Sequence, residues 1–133
     1  MVAAGKKAAL TRARGGWTFK GHLEGKPPAI RAIMEATQDY MTSLDEAIEE
    51  NPKKNYVGYR TTQNIVCMEP QQKKVLLFVK LDPKRNPGPE GLSRDMSEVG
   101  HFGTGDLQIT VTSLEELELA KPFLKKAYEE VGG

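Results

Sequence analysis

Three short segments rich in β-branched and aromatic residues, 55–60 (NYVGYR), 64–69 (NIVCME) and 73–81 (KKVLLFVKL), follow one another with three residues between neighbours. Joints that short close hairpins; a parallel pair needs a crossover of roughly a dozen residues or more. The middle of the chain is therefore committed to an antiparallel meander. The unbroken apolar run 75–79 predicts that the third of these strands is central or covered on both faces. A further strand is expected over 107–112 (LQITVT), and 92–100 has room for a short strand or turn.

Helices flank this block. Ile30, Ile33, Met34, Tyr40, Met41, Leu44 and Ile48 recur at three- and four-residue spacing behind Pro27-Pro28, which predicts a helix over about 28–50, stopped by Asn51-Pro52. Ser113 and Glu116 have capping-box spacing, with the hydroxyl taking a free backbone N–H and the glutamate returning to the Ser113 amide. Leu117, Ala120, Leu124, Ala127, Tyr128 and Val131 form the buried stripe of that second helix, and Pro122 is expected to kink or divide it. The fold expected is α+β: a mostly antiparallel sheet of about four to five strands, with an N-terminal and a C-terminal helix packed on one face. Residues 1–16 read as a flexible basic arm and 17–133 as a single domain, with Trp17 and Phe19 both packed onto it.

Of the residues, 38% are hydrophobic and 28% charged, a balance that excludes extended disorder. No apolar run approaches the ~18 residues of a membrane span, and residues 1–16 lack the apolar block of a secretory signal. The single cysteine, Cys67, excludes an internal disulfide and a cysteine-built zinc site, and fits a reducing, cytoplasmic setting. Net charge is +1, but its distribution is uneven. Residues 21–50 hold seven acids against two bases, whereas 51–90 hold eight bases against three acids. A basic surface on the hairpins is compatible with a nearly neutral whole.

The segment Gly100-His101-Phe102-Gly103-Thr104-Gly105-Asp106 concentrates glycine, which permits positive φ and an anion-binding nest of backbone N–H groups. It lacks the Lys-Ser/Thr of a P-loop and the third glycine of a dinucleotide loop, and a bulged turn explains the glycines as well. His101 has two readings: a base, ligand or phosphate donor oriented by Asp95 or Asp106, or a structural pin of the loop. Arg94 and Asp95 form either an ion pair or part of a site. Arg60, Lys80, Arg94 and His101 are expected to converge as cations on a phosphate or carboxylate. Tyr56 and Tyr59 should point to opposite faces, one of them beside the ligand as a stacking platform; Tyr59 is the choice here. The candidate ligand-binding set is thus Tyr59, Arg60, Lys80, Arg94, Asp95, His101, Gly103, Gly105 and Asp106. No catalytic set, metal site or cofactor motif is evident.

The block Gly91-Leu92-Ser93-Arg94-Asp95-Met96-Ser97, continued through Gly100-His101-Phe102-Gly103-Thr104-Gly105-Asp106, resembles a bacterial domain of unknown function often labelled "predicted transport protein". Tyr59-Arg60, the strand 77–81, the closing Lys125-Lys126-Ala127-Tyr128-Glu129 and the entry His22-Leu23-Glu24-Gly25-Lys26-Pro27-Pro28 extend the resemblance over roughly 110 residues. Similar domains occur alone or at the C-terminal end of predicted restriction-type nucleases and DNA-defence proteins. The resemblance therefore implies an accessory or recognition role near nucleic acid. Some stand-alone members carry a cysteine ribbon where this chain has its cysteine-free arm, a departure that argues against zinc. The function expected is a non-enzymatic binding module for nucleic acid or a phosphorylated ligand. A protein-interaction or self-association domain is the alternative, and a small His101-dependent enzyme a further one.

Overall fold

The computed structural model of the chain describes residues 16–99 and 105–131. The elements are α1 (Phe19–Leu23), α2 (Pro28–Leu44), β1 (Glu49–Pro52), β2 (Val57–Arg60), β3 (Asn64–Pro70), β4 (Val75–Val79), β5 (Ser93–Asp95), β6 (Leu107–Val111) and α3 (Leu114–Val131). The strands form one six-stranded sheet in the order β1-β2-β3-β4-β6-β5, with every neighbouring pair antiparallel. The α+β class and the two flanking helices agree with the sequence, but the sheet has six strands instead of four to five.

The strand that periodicity misses is β1. Helix α2 stops at Leu44, where the Thr42 and Ser43 hydroxyls bond back to carbonyls of their own helix at 2.8 and 2.7 Å. Asp45 then holds a turn, its Oδ1 accepting from the Ala47 amide at 2.9 Å and its carbonyl from the Ile48 amide at 3.1 Å. Short polar side chains that bond the local backbone compete with helix in this way. Ile48 is buried all the same, now as the lead-in to a strand, which is why the apolar spacing continues past the end of the helix. Glu49–Pro52 pairs with β2 as an edge strand, where proline is tolerated.

Register sorts the sheet into two faces. Val57, Met68, Leu77 and Ile109 lie side by side across four strands, and Tyr59, Val66, Val79 and Leu107 form the next row. Both rows point at α2 and α3, whose Ile30, Ile33, Met34, Met41, Leu117, Ala120, Leu124 and Ala127 complete the main core. Each fully buried aliphatic or aromatic side chain here is worth roughly 1.5–3 kcal/mol. A register shift at Tyr59/Arg60 lets Ile65 and Val66, neighbours in sequence, both join that core. The opposite face carries Gly58, Cys67, Phe78, Gln108 and Arg94 in one row. Cys67, Leu76, Phe78 and Met96 form a second, smaller buried cluster there, against which Tyr56 packs. All five residues of β4 are buried, as its apolar run predicts.

Three local expectations change. Phe19 packs on the core, but Trp17 is 47% exposed. Helix α3 runs unbroken through the exposed Pro122. Ser113 Oγ accepts from the Glu116 amide at 3.1 Å as a cap should, but the Glu116 carboxylate returns to Thr112, accepting from its amide and its hydroxyl at 2.7 Å each. The capping residues are right and the return bond is one residue earlier.

Candidate functional site

Helix α2 and strand β1 run in opposite directions, and α3 runs away from the end of β6. One end of the sheet therefore gathers the β2–β3 turn, the exit of β4, the entry to β6 and the last turn of α3. A groove of about 540 Å³ opens there. Lys80, at the exit of β4, lines it with Gly105 and Asp106, at the entry to β6. Three of the residues predicted to form a site thus share one depression. Continuing the β4–β6 register by one residue beyond Val79 and Leu107 sets Lys80 opposite Asp106.

Side chains that sequence patterning did not single out complete the groove: Gln63 from the β2–β3 turn, Asp82 and Lys84 from the segment after β4, and Ser97 after β5. The segment 82–91 is irregular, as its prolines predict. Asp82 organises its start: the carboxylate accepts from the Lys84 amide at 3.0 Å, and the carbonyl accepts from the Arg85 and Asn86 amides at 3.1 and 2.9 Å. This Asx turn positions Lys84 at the groove. The signal was present in Asp82-Pro83-Lys84-Arg85, a turn-forming sequence bearing two cations.

Asp95 lies beside the groove. Its carboxylate accepts from the Ser97 hydroxyl and, at 2.9 Å, from the Ser97 amide, and these bonds hold it below the usual carboxylate range, with Lys84 adding to the effect. It is not the ion-pair partner of Arg94. Adjacent residues of a strand point to opposite faces, and both of these side chains are exposed. Arg94 sits on edge strand β5 opposite Gln108, and Arg60 ends β2 with its guanidinium donating to the Thr62 carbonyl at 3.3 Å. Neither lines the groove, where Lys80 is joined instead by Lys84.

Tyr59 is fully buried on the helix side, where its O–H donates to Glu50 Oε2 at 3.1 Å, and Glu50 Oε2 also accepts from the Gln38 amide at 2.8 Å. Burial, reinforced by the Glu50 carboxylate, raises its hydroxyl well above the ordinary value. It is a core residue with no ring face open to a ligand. The opposite-face placement of the two tyrosines holds, and Tyr56 is the half-buried one on the other face. His101 and Gly103 lie outside the described residues.

Gly105 has φ +130°, and a β-carbon there would come within 2.7 Å of the Phe78 carbonyl carbon. The chain after the glycine-rich segment is thus laid directly on the backbone of β4, and close packing alone requires this glycine. Chemically, the groove offers two ammonium groups and an amide as donors, against the carboxylates of Asp82, Asp106 and Glu130; the Ser97 hydroxyl that also lines it is donated to Asp95. Among the described residues there is no cluster of three His, Cys, Asp or Glu side chains suited to a metal ion. No helix among them is long and apolar enough to cross a membrane.

The fold defines an α+β domain in which two helices cover one face of a six-stranded antiparallel sheet. The model of the family described as "Domain of unknown function (DUF5655)" matches residues 19–131, and the chain belongs to that family. An uncharacterized protein of Haemophilus influenzae is 30% identical over 109 residues, a stretch that takes in 82% of this chain. The matched stretch spans only 36% of the length of that relative. No solved structure matches the chain.

Proposed function

We propose that this domain is a non-enzymatic binding module whose groove holds a phosphate-bearing ligand, either nucleic acid or a phosphorylated small molecule. The observation that carries the reading is the meeting of Lys80 and Lys84 with the Gln63 amide around one open groove. Ammonium groups and neutral donors at a concave surface suit a phosphate, which accepts charge-assisted hydrogen bonds from both. Of the three groove carboxylates, Asp82 is committed to its turn, where it accepts from the Lys84 amide. The resemblance to domains found at the end of predicted restriction-type nucleases and DNA-defence proteins points the same way, by association only.

Catalysis has less support: the Ser97 hydroxyl is paired with the exposed Asp95 carboxylate at the groove, but no histidine or third group among the described residues completes a catalytic set around them. Self-association through an apolar sheet face is also less favoured: Cys67, Leu76, Phe78 and Met96 on that face are all buried, and Tyr56 beside them is half-buried. Equilibrium binding to labelled DNA, RNA and phosphorylated nucleosides, titrated with salt, tests the reading. Replacing Lys80 and Lys84 with Gln should weaken binding and flatten its salt dependence by roughly one log–log unit for each phosphate no longer neutralised. Unchanged binding in that variant would remove the groove from the account.

A further inference from the structure

The opposite end of the sheet carries a different surface. There the β1–β2 and β3–β4 hairpins turn, each closed by one backbone bond: the Lys53 amide to the Tyr56 carbonyl at 2.7 Å, and the Gln71 amide to the Lys74 carbonyl at 2.9 Å. Lys53 and Lys54 occupy the first turn, Lys73 and Lys74 the second, and all four are exposed. The two tips are two strands apart in the sheet, about 10 Å at the ordinary strand spacing.

Helix α1 is fastened across these tips. His22 Nε2 donates to the Lys53 carbonyl at 2.6 Å, and the Gln72 side chain donates to the Gly25 carbonyl at 3.2 Å. These two bonds bring Lys26 alongside, close enough to His22 to help lower its pKa. Among the described residues none of these lysines is ion-paired; the ion pair found there joins Lys121 to Glu118 on α3. The nearby acids are Glu69, occupied by the Gln71 side chain, Glu24, and Glu115 and Glu116 in the first turn of α3. The half-buried ring of Tyr56 sits at the rim of the same surface.

We infer that this hairpin-tip surface is a nucleic-acid contact, holding the phosphate backbone of a single strand across the two lysine pairs with Tyr56 available to an unstacked base. Exposed, unpaired lysines on two neighbouring tips attract a polyanion without the desolvation that a buried site would require, and an aromatic ring beside them favours single strands. The surface is separate from the groove and does not depend on a ligand binding there.

The test is fluorescence-anisotropy binding of the full chain to labelled oligothymidylate as a function of salt. The quadruple variant Lys53→Gln, Lys54→Gln, Lys73→Gln, Lys74→Gln should flatten the log–log salt slope by about 3, at about 0.7 per neutralised phosphate. The variant Lys125→Gln with Lys126→Gln, exposed lysines on α3, should leave that slope in place, and Lys80→Gln with Lys84→Gln, in the groove, should remove no more than the groove's own share of it. Four outcomes overturn the proposal: no binding to the oligonucleotide, an unchanged slope in the quadruple variant, an equal loss per charge in the α3 variant, or a loss confined to the groove variant. The last of these would at the same time support the groove as a nucleic-acid site, so the two readings fail separately.

Discussion

Gly105 and Phe78 meet backbone to backbone: a β-carbon on the glycine would stand 2.7 Å from the Phe78 carbonyl carbon and 2.9 Å from its oxygen. This contact seats the entry to β6 on β4 and so sets the floor of the groove that Lys80 and Asp106 line. Gly105→Ala should destabilise the fold by about 2–4 kcal/mol, from overpacking against backbone that cannot swing aside and from the φ of +130°. Gly91, at φ +80° with nothing near its missing β-carbon, isolates the conformational part, and Gly91→Ala should cost about 1 kcal/mol. Urea unfolding of both variants checks the difference. Equal costs would mean that the Gly105–Phe78 approach does not matter.

Tyr59 provides the second prediction. Tyr59→Phe removes the donor to Glu50 and should cost about 1–2 kcal/mol, while leaving ligand and oligonucleotide binding at the wild-type level. The raised pKa also has a sign. A hydroxyl kept neutral in the folded state contributes stability that is complete below the ordinary value of 10.0 and is lost as pH rises beyond it. Absorbance titration should find one tyrosine that ionises only as the protein unfolds in alkali. A wild-type protein whose four tyrosines all titrate near 10 while folded would contradict the buried placement.

His22 gives a dependence in acid. Burial is the largest influence on it and lowers its pKa from 6.5; its bond to Lys53 opposes this and Lys26 adds to it. The neutral ring is therefore favoured in the folded state, and its contribution is complete above about 6.5 and falls as pH drops through the lowered folded pKa. Thermal unfolding at pH 7.5 and pH 5 should show a fall in Tm that His22→Gln reduces. The same fall in both proteins would detach His22 from the docking of α1.

The bond between Tyr128 and Asp45, 2.7 Å across 83 residues of sequence, ties the last turns of α3 to the turn after α2. With the Ala47 amide, which acts more strongly, it lowers the Asp45 pKa from 3.8. A carboxylate with a lowered folded pKa stabilises above its unfolded value, and that contribution disappears as pH falls through the folded one. Tyr128→Phe should therefore unfold at a lower temperature at neutral pH and converge on wild type in strong acid. Parallel pH profiles would show that the bond carries no weight.

Much of this architecture was legible in the chain because it rests on local periodicity. The three-residue joints of the meander, the apolar run of β4 and the stripes of both long helices needed no tertiary information. Strand β1 was hidden because Ile48 keeps helical spacing with Met41 and Leu44 although it belongs to a strand lead-in. Trp17 failed as a core residue because hydrophobicity predicts burial only where a partner surface exists. Of the groove's lining residues, Gly105 and Asp106 were singled out from the glycine-rich segment and Lys80 as one of four candidate cations. Lys84 and Ser97 were not, since only the Asx turn at Asp82 and the fold of β5 bring them to the groove. The alternation that sends Tyr56 and Tyr59 to opposite faces was visible, but which of the two faces the helices cover depends on the packing of α2 and α3.

The most direct measurement is an amide-resolved NMR titration of the full chain with inorganic phosphate and a phosphorylated nucleoside. The account predicts that both ligands perturb a common set of amides around the groove, at Gln63, Lys80, Lys84, Ser97 and Gly105, and that Lys80→Gln with Lys84→Gln abolishes the response. Perturbations absent from those positions, or scattered over the surface lysines and unaffected by the variant, would contradict the groove as the seat of binding.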